Sequence, residues 1–205
     1  MIERVVTSGT FSLDGADFDV DNNVWVVGDD REVVVVDAAH DHRPIVGAVG
    51  GRRCLAIIAT HGHNDHINAA TDLADALDAP VWLHPADRML WDVVHPDRAP
   101  DDDLSDGQVV EVGGVSLTVL ATPGHSPGGV CLHDAVGGVV FTGDTLFRGG
   151  PGATGRSFSD YGTIVDSIRD HLLVLPAGTR VLTGHGEETT IGDEAPHLAE
   201  WEAAR

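Results

Sequence analysis

The sequence predicts an α/β domain in which helices pack outside two sheets. Three observations lead there. Unbroken apolar runs such as Val33–Val36 and Cys54–Ala59 read as strands buried on both faces. Apolar residues recur at helical spacing in Ala69–Leu77 and Tyr161–Leu175. The order along the chain is strands, helices, strands, helices, without linker or repeat, so residues 1–205 read as one domain.

Each element has its own signal. Val24–Val27 is an apolar run ended by Gly28-Asp29-Asp30, and the β-branched run Val33–Val36 follows. A short helix follows Pro44, which suits a first helical turn, and Gly50-Gly51 ends it. Cys54–Ala59 leads straight into a histidine cluster. After the helix at Ala69–Leu77 come a short strand, Val81–Leu83, and a helix over Pro85–Val94 begun by Pro85 and Asp87. Pro96–Asp106 is acidic and reads as a surface loop. Val109–Leu120 reads as a hairpin turning at Gly113-Gly114, and Val130–Leu132 and Val139–Phe141 as another pair turning at Gly137-Gly138. A helix over Tyr161–Leu175, a strand at Arg180–Leu182 and a closing helix over Asp193–Ala204 complete the chain.

Charge narrows the partners. The 205 residues carry 33 acidic groups against 12 basic ones, all of them Arg, for a net charge of -21. Such a surface repels phosphate backbones and anionic lipid, so no nucleic acid or membrane partner is expected. Met1–Arg4 lacks the basic start of a signal peptide, and no apolar stretch approaches the roughly 20 residues of a membrane span. Cys54 and Cys131 lie in apolar runs and read as buried free thiols, which fits a cytoplasmic location.

The chemistry is concentrated in Thr60-His61-Gly62-His63-Asn64-Asp65-His66. Three imidazoles and a carboxylate, the usual non-thiol ligands of zinc, follow a buried strand directly. His61 and His63, two positions apart on an extended strand end, face the same side. Two ions need more ligands than this cluster offers. His125, Asp144 and His185 each follow a predicted strand and are flanked by Gly or Pro, where backbone passes close to a ligand. His84 reads as a helix-start residue. His40, His42, His95, His133, His171 and His197 have no metal spacing and read as solvated or structural.

These motifs resemble the metallo-β-lactamase fold superfamily, and within it the glyoxalase II-like thioester hydrolases, from about Val24 to Asp193. The resemblance implies a four-layer αββα sandwich. It implies one metal at His61, His63 and His125, another at Asp65, His66 and His185, and Asp144 bridging them, with Asp37 supporting the site from behind. Zinc is the default for both ions, with iron or manganese as alternatives. Asp65 would ligate and also handle the proton of the attacking water. Arg148 and Arg156, in the Gly-rich loop after Asp144, and Tyr161 are candidate substrate-binding residues. By this resemblance no added helical region of the kind that helps glyoxalase II bind glutathione is expected, and the Lys of its substrate clamp has no counterpart here. Both departures point to a less anionic thiol, such as mycothiol. The expected reaction is hydrolysis of a small thioester to thiol and carboxylic acid. The alternatives are a single-iron persulfide dioxygenase and a lactone or ester hydrolase.

Overall fold

A computed structural model describes all residues from Met1 to Arg205. The first half builds one six-stranded sheet: β1 (Ile2–Leu13), β2 (Ala16–Gly28), β3 (Glu32–Val36), β4 (Arg53–Ile58), β5 (Val81–Leu83) and β6 (Asp102–Asp103), in that spatial order. Three helices, α1 (His42–Val49), α3 (Ala70–Leu77) and α4 (Arg88–Val94), and a single turn, α2 (Asn64–Ile67), lie between its strands in sequence.

The second half begins the other sheet with β7 (Val109–Val112), β8 (Val115–Ala121), β9 (Val130–Asp134) and β10 (Val139–Gly143). A small ribbon, β11 (Leu146–Phe147) with β12 (Gly150–Pro151), follows. Then come α5 (Tyr161–Ser167), β13 (Arg180–Thr183), β14 (Thr189–Thr190), α6 (Ile191–Glu194) and α7 (Leu198–Ala203). The second sheet runs β14-β13-β10-β9-β8-β7.

Three apolar layers define the sandwich. Between the sheets lie Trp25, Val27, Val34, Val36, Ile58, Leu117, Leu132 and Phe141, among others. The alternate residues Val24, Val26, Val33 and Val35 point the other way, onto Ile45, Leu73 and Trp91 of the helices. The outer face of the second sheet, through Cys131, Val140 and Val181, packs on Ile164, Ile168 and Trp201. This is the four-layer αββα arrangement, and it explains the apolar runs: β3, β4 and β10 are covered on both faces.

The departures from expectation have local causes. β1, unanticipated, is an edge strand with few and irregularly spaced apolar residues, and it pairs with β2 from Ile2–Val27 to Leu13–Ala16. Asp14 and Gly15 turn that hairpin with φ of 53° and 74°, the signs a two-residue primed turn requires. The acidic loop contributes β6, which pairs in parallel with β5. Pro85–Asp87 is a 3₁₀ turn, so α4 starts only at Arg88. α5 ends at Ser167 and continues as a wider π-type turn through Leu172. The closing helix is broken into α6, a 3₁₀ turn over Ala195–His197 and α7, with Pro196 in that turn. No helix is long and apolar enough to cross a membrane.

Candidate metal centre

β3, β4, β8, β10 and β13 bring Asp37, the 60–66 segment, His125, Asp144 and His185 to one end of the sandwich. Backbone bonds tie the two sheets there: Val130 N–H donates to Thr60 O (2.8 Å), and Asn23 N–H donates to Gly184 O (2.8 Å). Three sets of possible ligand atoms form, each within 4.8 Å: His61/His63/His125, Asp65/His66/His185 and His61/His66/Asp144. The seven side chains singled out in the sequence therefore meet in one cluster.

Asp144 stands between the first two sets. Its Oδ2 lies 3.4 Å from His185 Nε2 and 3.6 Å from His125 Nε2, and its Oδ1 lies 3.3 Å from His66 Nε2. Asp65 Oδ2 is 3.3 Å from His185 Nε2 and 3.5 Å from His66 Nε2. Glycine makes the approach feasible: a Cβ on Gly184 would fall 2.5 Å from Asp144 Oδ1 and 2.7 Å from His66 Cε1.

Four of the five rings are oriented from behind, while His63 turns its Nδ1 to His125 Nε2 (2.9 Å). His66 Nδ1 lies 2.9 Å from Asp37 Oδ2, His125 Nδ1 2.7 Å from Ala153 O, and His185 Nδ1 2.8 Å from Asp21 O. His61 Nδ1 is 3.1 Å from Thr60 Oγ1, which itself donates to Asp37 Oδ2. Each of these four contacts from behind engages Nδ1 and leaves Nε2 facing the cluster, as an acceptor behind a metal-bound imidazole does.

The residues fit a cationic guest. His61 Nε2, His63 Nε2, Asp65 Oδ1 and Asp144 Oδ1 are buried without any hydrogen-bond partner, and only two other buried side-chain atoms in the protein share that state. Unpaired buried acceptors are costly, so their concentration here marks a place for positive charge. The electrostatics of the cluster agree. Burial, then the neighbouring imidazoles, hold His61 well below the ordinary range, and burial, then His125, push His63 down to about 3. Burial opposes protonation of His185 too, but Asp144 and Asp65 outweigh it and lift the ring to about 10. Against its burial, His66 is raised well above its ordinary value by Asp144, Asp65 and Asp37. Burial works against ionisation of Asp144 and Asp65, yet His66 and His185 draw both carboxyls down. Imidazolium protons thus balance the carboxylates, and a bound cation would displace them. Imidazole nitrogen with carboxylate oxygen suits zinc, iron or manganese.

A cavity of about 390 Å³ opens onto the cluster, lined by Phe11, Val20, Asp21, Asp65, His125, Asp144, Phe147, Ala153 and His185. Of the three candidate substrate residues, Arg156 reaches the rim. It lines an adjoining recess with His63 and His125, and its guanidinium sits 4.8 Å over the Phe18 ring. Arg148 instead turns outward and donates to Glu188 O (2.8 Å). Tyr161 begins α5 and packs against the outer apolar layer, because its helix face points to the second sheet. Neither lines the cavity.

Several contributors were invisible in the sequence. Asn22, fully buried, donates from Nδ2 to Asp65 Oδ2 (3.2 Å), and its Oδ1 lies 2.8 Å from His40 Nε2. His40, read as solvated or structural, is half-buried behind the site. Phe11 and Phe147 form an aromatic wall of the cavity that no sequence pattern announces. A polar Asn22-Asn23 pair directly before an apolar strand was the available signal.

Two facing sheets with a buried imidazole–carboxylate cluster at one end define a metal-dependent class of protein. The chain belongs to the metallo-beta-lactamase superfamily, whose family model matches residues 18–185. It is 30% identical over 187 residues to a protein named hydroxyacylglutathione hydrolase GloC from Haemophilus influenzae, covering 83% of this chain and 87% of that one. Among solved structures, BLEG-1 B3 metallo-beta-lactamase overlays with a TM-score of 0.80 and 29% identity, over 95% of this chain and 99% of the other. TTHA1623 in a di-iron-bound form overlays with a TM-score of 0.76 and 35% identity, over 86% and 93%.

Proposed function

We propose that this metallo-hydrolase of the superfamily cleaves a thioester of a small thiol to thiol and carboxylic acid, as glyoxalase II-like enzymes do. One observation carries the choice of leaving group. The titratable residues lining the cavity are Asp21, Asp65, His125, Asp144 and His185, and all but Asp21 belong to the ligand cluster. Asp21 accepts from Ser8 Oγ (2.6 Å). The cavity therefore offers no dedicated acid to protonate an amine as it departs: Asp21 is exposed at its mouth, and the other groups are the cluster's own. A thiolate, with a free pKa of about 8.5, leaves without one.

His61, His63 and His125 would hold one divalent cation and Asp65, His66 and His185 the other, with Asp144 shared. Zinc is the proposed metal, and the di-iron form of TTHA1623 keeps iron in view. When bound, such ions supply a water acidic enough to ionise near neutral pH and polarise the carbonyl. The chain's own groups then do the rest. Asp65, anchored at Oδ2 by Asn22, presents its unpartnered Oδ1 to orient the water and hold its proton. Phe11, Val20, Phe147 and Ala153 enclose the apolar part of the substrate and limit bulk water. Arg156 meets a polar tail at the rim. The net charge of -21 supports a small-molecule partner rather than nucleic acid or membrane, and a cytoplasmic setting suits the two free thiols.

The test is a panel of thioesters, esters, lactones, β-lactams and a persulfide, run on protein of measured metal content. Fastest turnover of a thioester at two ions per chain, without oxygen uptake, is expected. One iron with oxygen consumption, or faster opening of a β-lactam, would overturn the reading.

A further inference from the structure

Asp87 belongs to neither ligand set and has no exposed surface. It lies in the 3₁₀ turn before α4, yet its carboxylate is spent on two distant loops. Oδ2 accepts from Gly62 N–H at 2.8 Å and from Ser126 Oγ–H at 2.7 Å, and Oδ1 accepts from Gly128 N–H at 2.5 Å. Gly62 separates His61 from His63, and Ser126 and Gly128 follow His125. The residues around it are shaped for this contact. A Cβ on Gly128 would fall 2.8 Å from Asp87 Cγ, and one on Gly62 3.0 Å from Asp87 O.

We propose that Asp87 is the positioning residue of the His61/His63/His125 half of the centre, one carboxylate that sets the distance between the two loops carrying those imidazoles. The inference rests on the reading that these rings hold a cation. Asp37 has the corresponding place in the other half, through His66. All three partners of Asp87 are donors, so an ionised carboxylate satisfies them and an amide does not. In Asp87→Asn, whichever way the amide turns, its NH₂ faces a backbone N–H, of Gly62 or of Gly128. Ligand-orienting groups of this kind typically change metal affinity by about 10–100-fold.

The experiment is a stepwise zinc titration of apo wild type, Asp87→Asn and Ser126→Ala, repeated with cobalt so that each site is followed by its absorption. Wild type should fill two sites. Asp87→Asn should weaken one site by about 10–100-fold and leave the other within a few-fold. Ser126→Ala, which removes one donor of three, should weaken the same site by less. Native affinities at both sites in folded Asp87→Asn would overturn the proposal, and so would equal weakening of both. If Asp87→Asn does not fold, Ser126→Ala decides: selective weakening supports the clamp and unchanged binding overturns it. Failure of wild type to bind would instead sink the metal reading itself.

Discussion

Asp37 Oδ2 lies 2.9 Å from His66 Nδ1, with both side chains shut away from solvent. The same carboxylate accepts from Thr60 N–H (2.7 Å) and Thr60 Oγ–H (2.9 Å), so it fixes the start of the ligand segment as well as one of its rings. In Asp37→Ala three buried donors lose their acceptor. Unsatisfied buried groups cost about 1–3 kcal/mol each, so a loss on the order of 3 kcal/mol is expected after partial relaxation. Metal affinity should fall about 10–100-fold at the Asp65/His66/His185 site, which Asp37 supports directly, and by less at the site of His61, which it reaches only through Thr60. Denaturant melts of the apo protein and a zinc titration check the two effects. Unchanged values in both would remove Asp37 from this role.

Gly184 precedes His185 and touches the centre through its missing side chain. A methyl group there would sit 2.5 Å from Asp144 Oδ1 and 2.7 Å from His66 Cε1. Its backbone also holds the strand ends together, donating to Gly143 O (2.8 Å) and accepting from Asn23 N–H (2.8 Å). Gly184→Ala should therefore displace the shared carboxylate and reduce bound metal to at most one ion per chain, with turnover down at least about 100-fold, as for other displaced catalytic groups. Metal analysis of the purified variant beside its circular dichroism separates this from unfolding. Two ions with native turnover would show that the contact is absorbed.

How far the sequence reached depends on whether the relevant partners are near in the chain. The convergence of His61, His63, His125, Asp144 and His185 was legible because each follows an apolar strand, and parallel strands deliver their ends to one edge. The sandwich was legible from β3, β4 and β10, whose two-sided burial removes alternation. β1 was not, because it is an edge strand stabilised by pairing with β2. Nor were Asp87 and Asn22. Their partners lie 18 to 44 residues away, and an Asp at a helix start looks like any capping residue until the fold is known.

Arg156 and Arg148 sit in the same Gly-rich stretch but face different surroundings. Arg156 is held over Phe18 at 4.8 Å beside the recess next to His63, whereas Arg148 donates to Glu188 O on the outside. Arg156→Ala should raise KM for a thioester with a polar tail by about two- to fivefold, the size of one cation contact, and leave kcat nearly unchanged. Arg148→Ala should leave both constants alone. Steady-state kinetics with tailed and tail-less substrates measures the difference. An equal effect from the two variants would mean that neither contacts substrate directly.

Cys54 and Cys131 give a pH dependence with few competitors. Burial raises both thiols to about 11, outweighing the backbone hydrogen bonds at Cys54 and the contacts from Thr122 and Thr145 at Cys131. In the unfolded chain a thiol ionises near about 8.5, so the unfolded state releases its proton first as pH rises. The stability these groups contribute is therefore complete below about pH 8.5 and drains away as pH climbs toward 11. The chain has no Lys and one Tyr, so little else changes charge in that window once the metal centre is filled. Denaturant midpoints of the metal-loaded protein should fall from pH 8 to pH 10.5, and Cys54→Ala/Cys131→Ala should flatten part of that fall. At pH 8 both thiols should resist alkylation in the folded protein and react after denaturation. Rapid labelling of the native protein, or an identical pH profile in the double variant, would show that these thiols are not sealed as the structure places them.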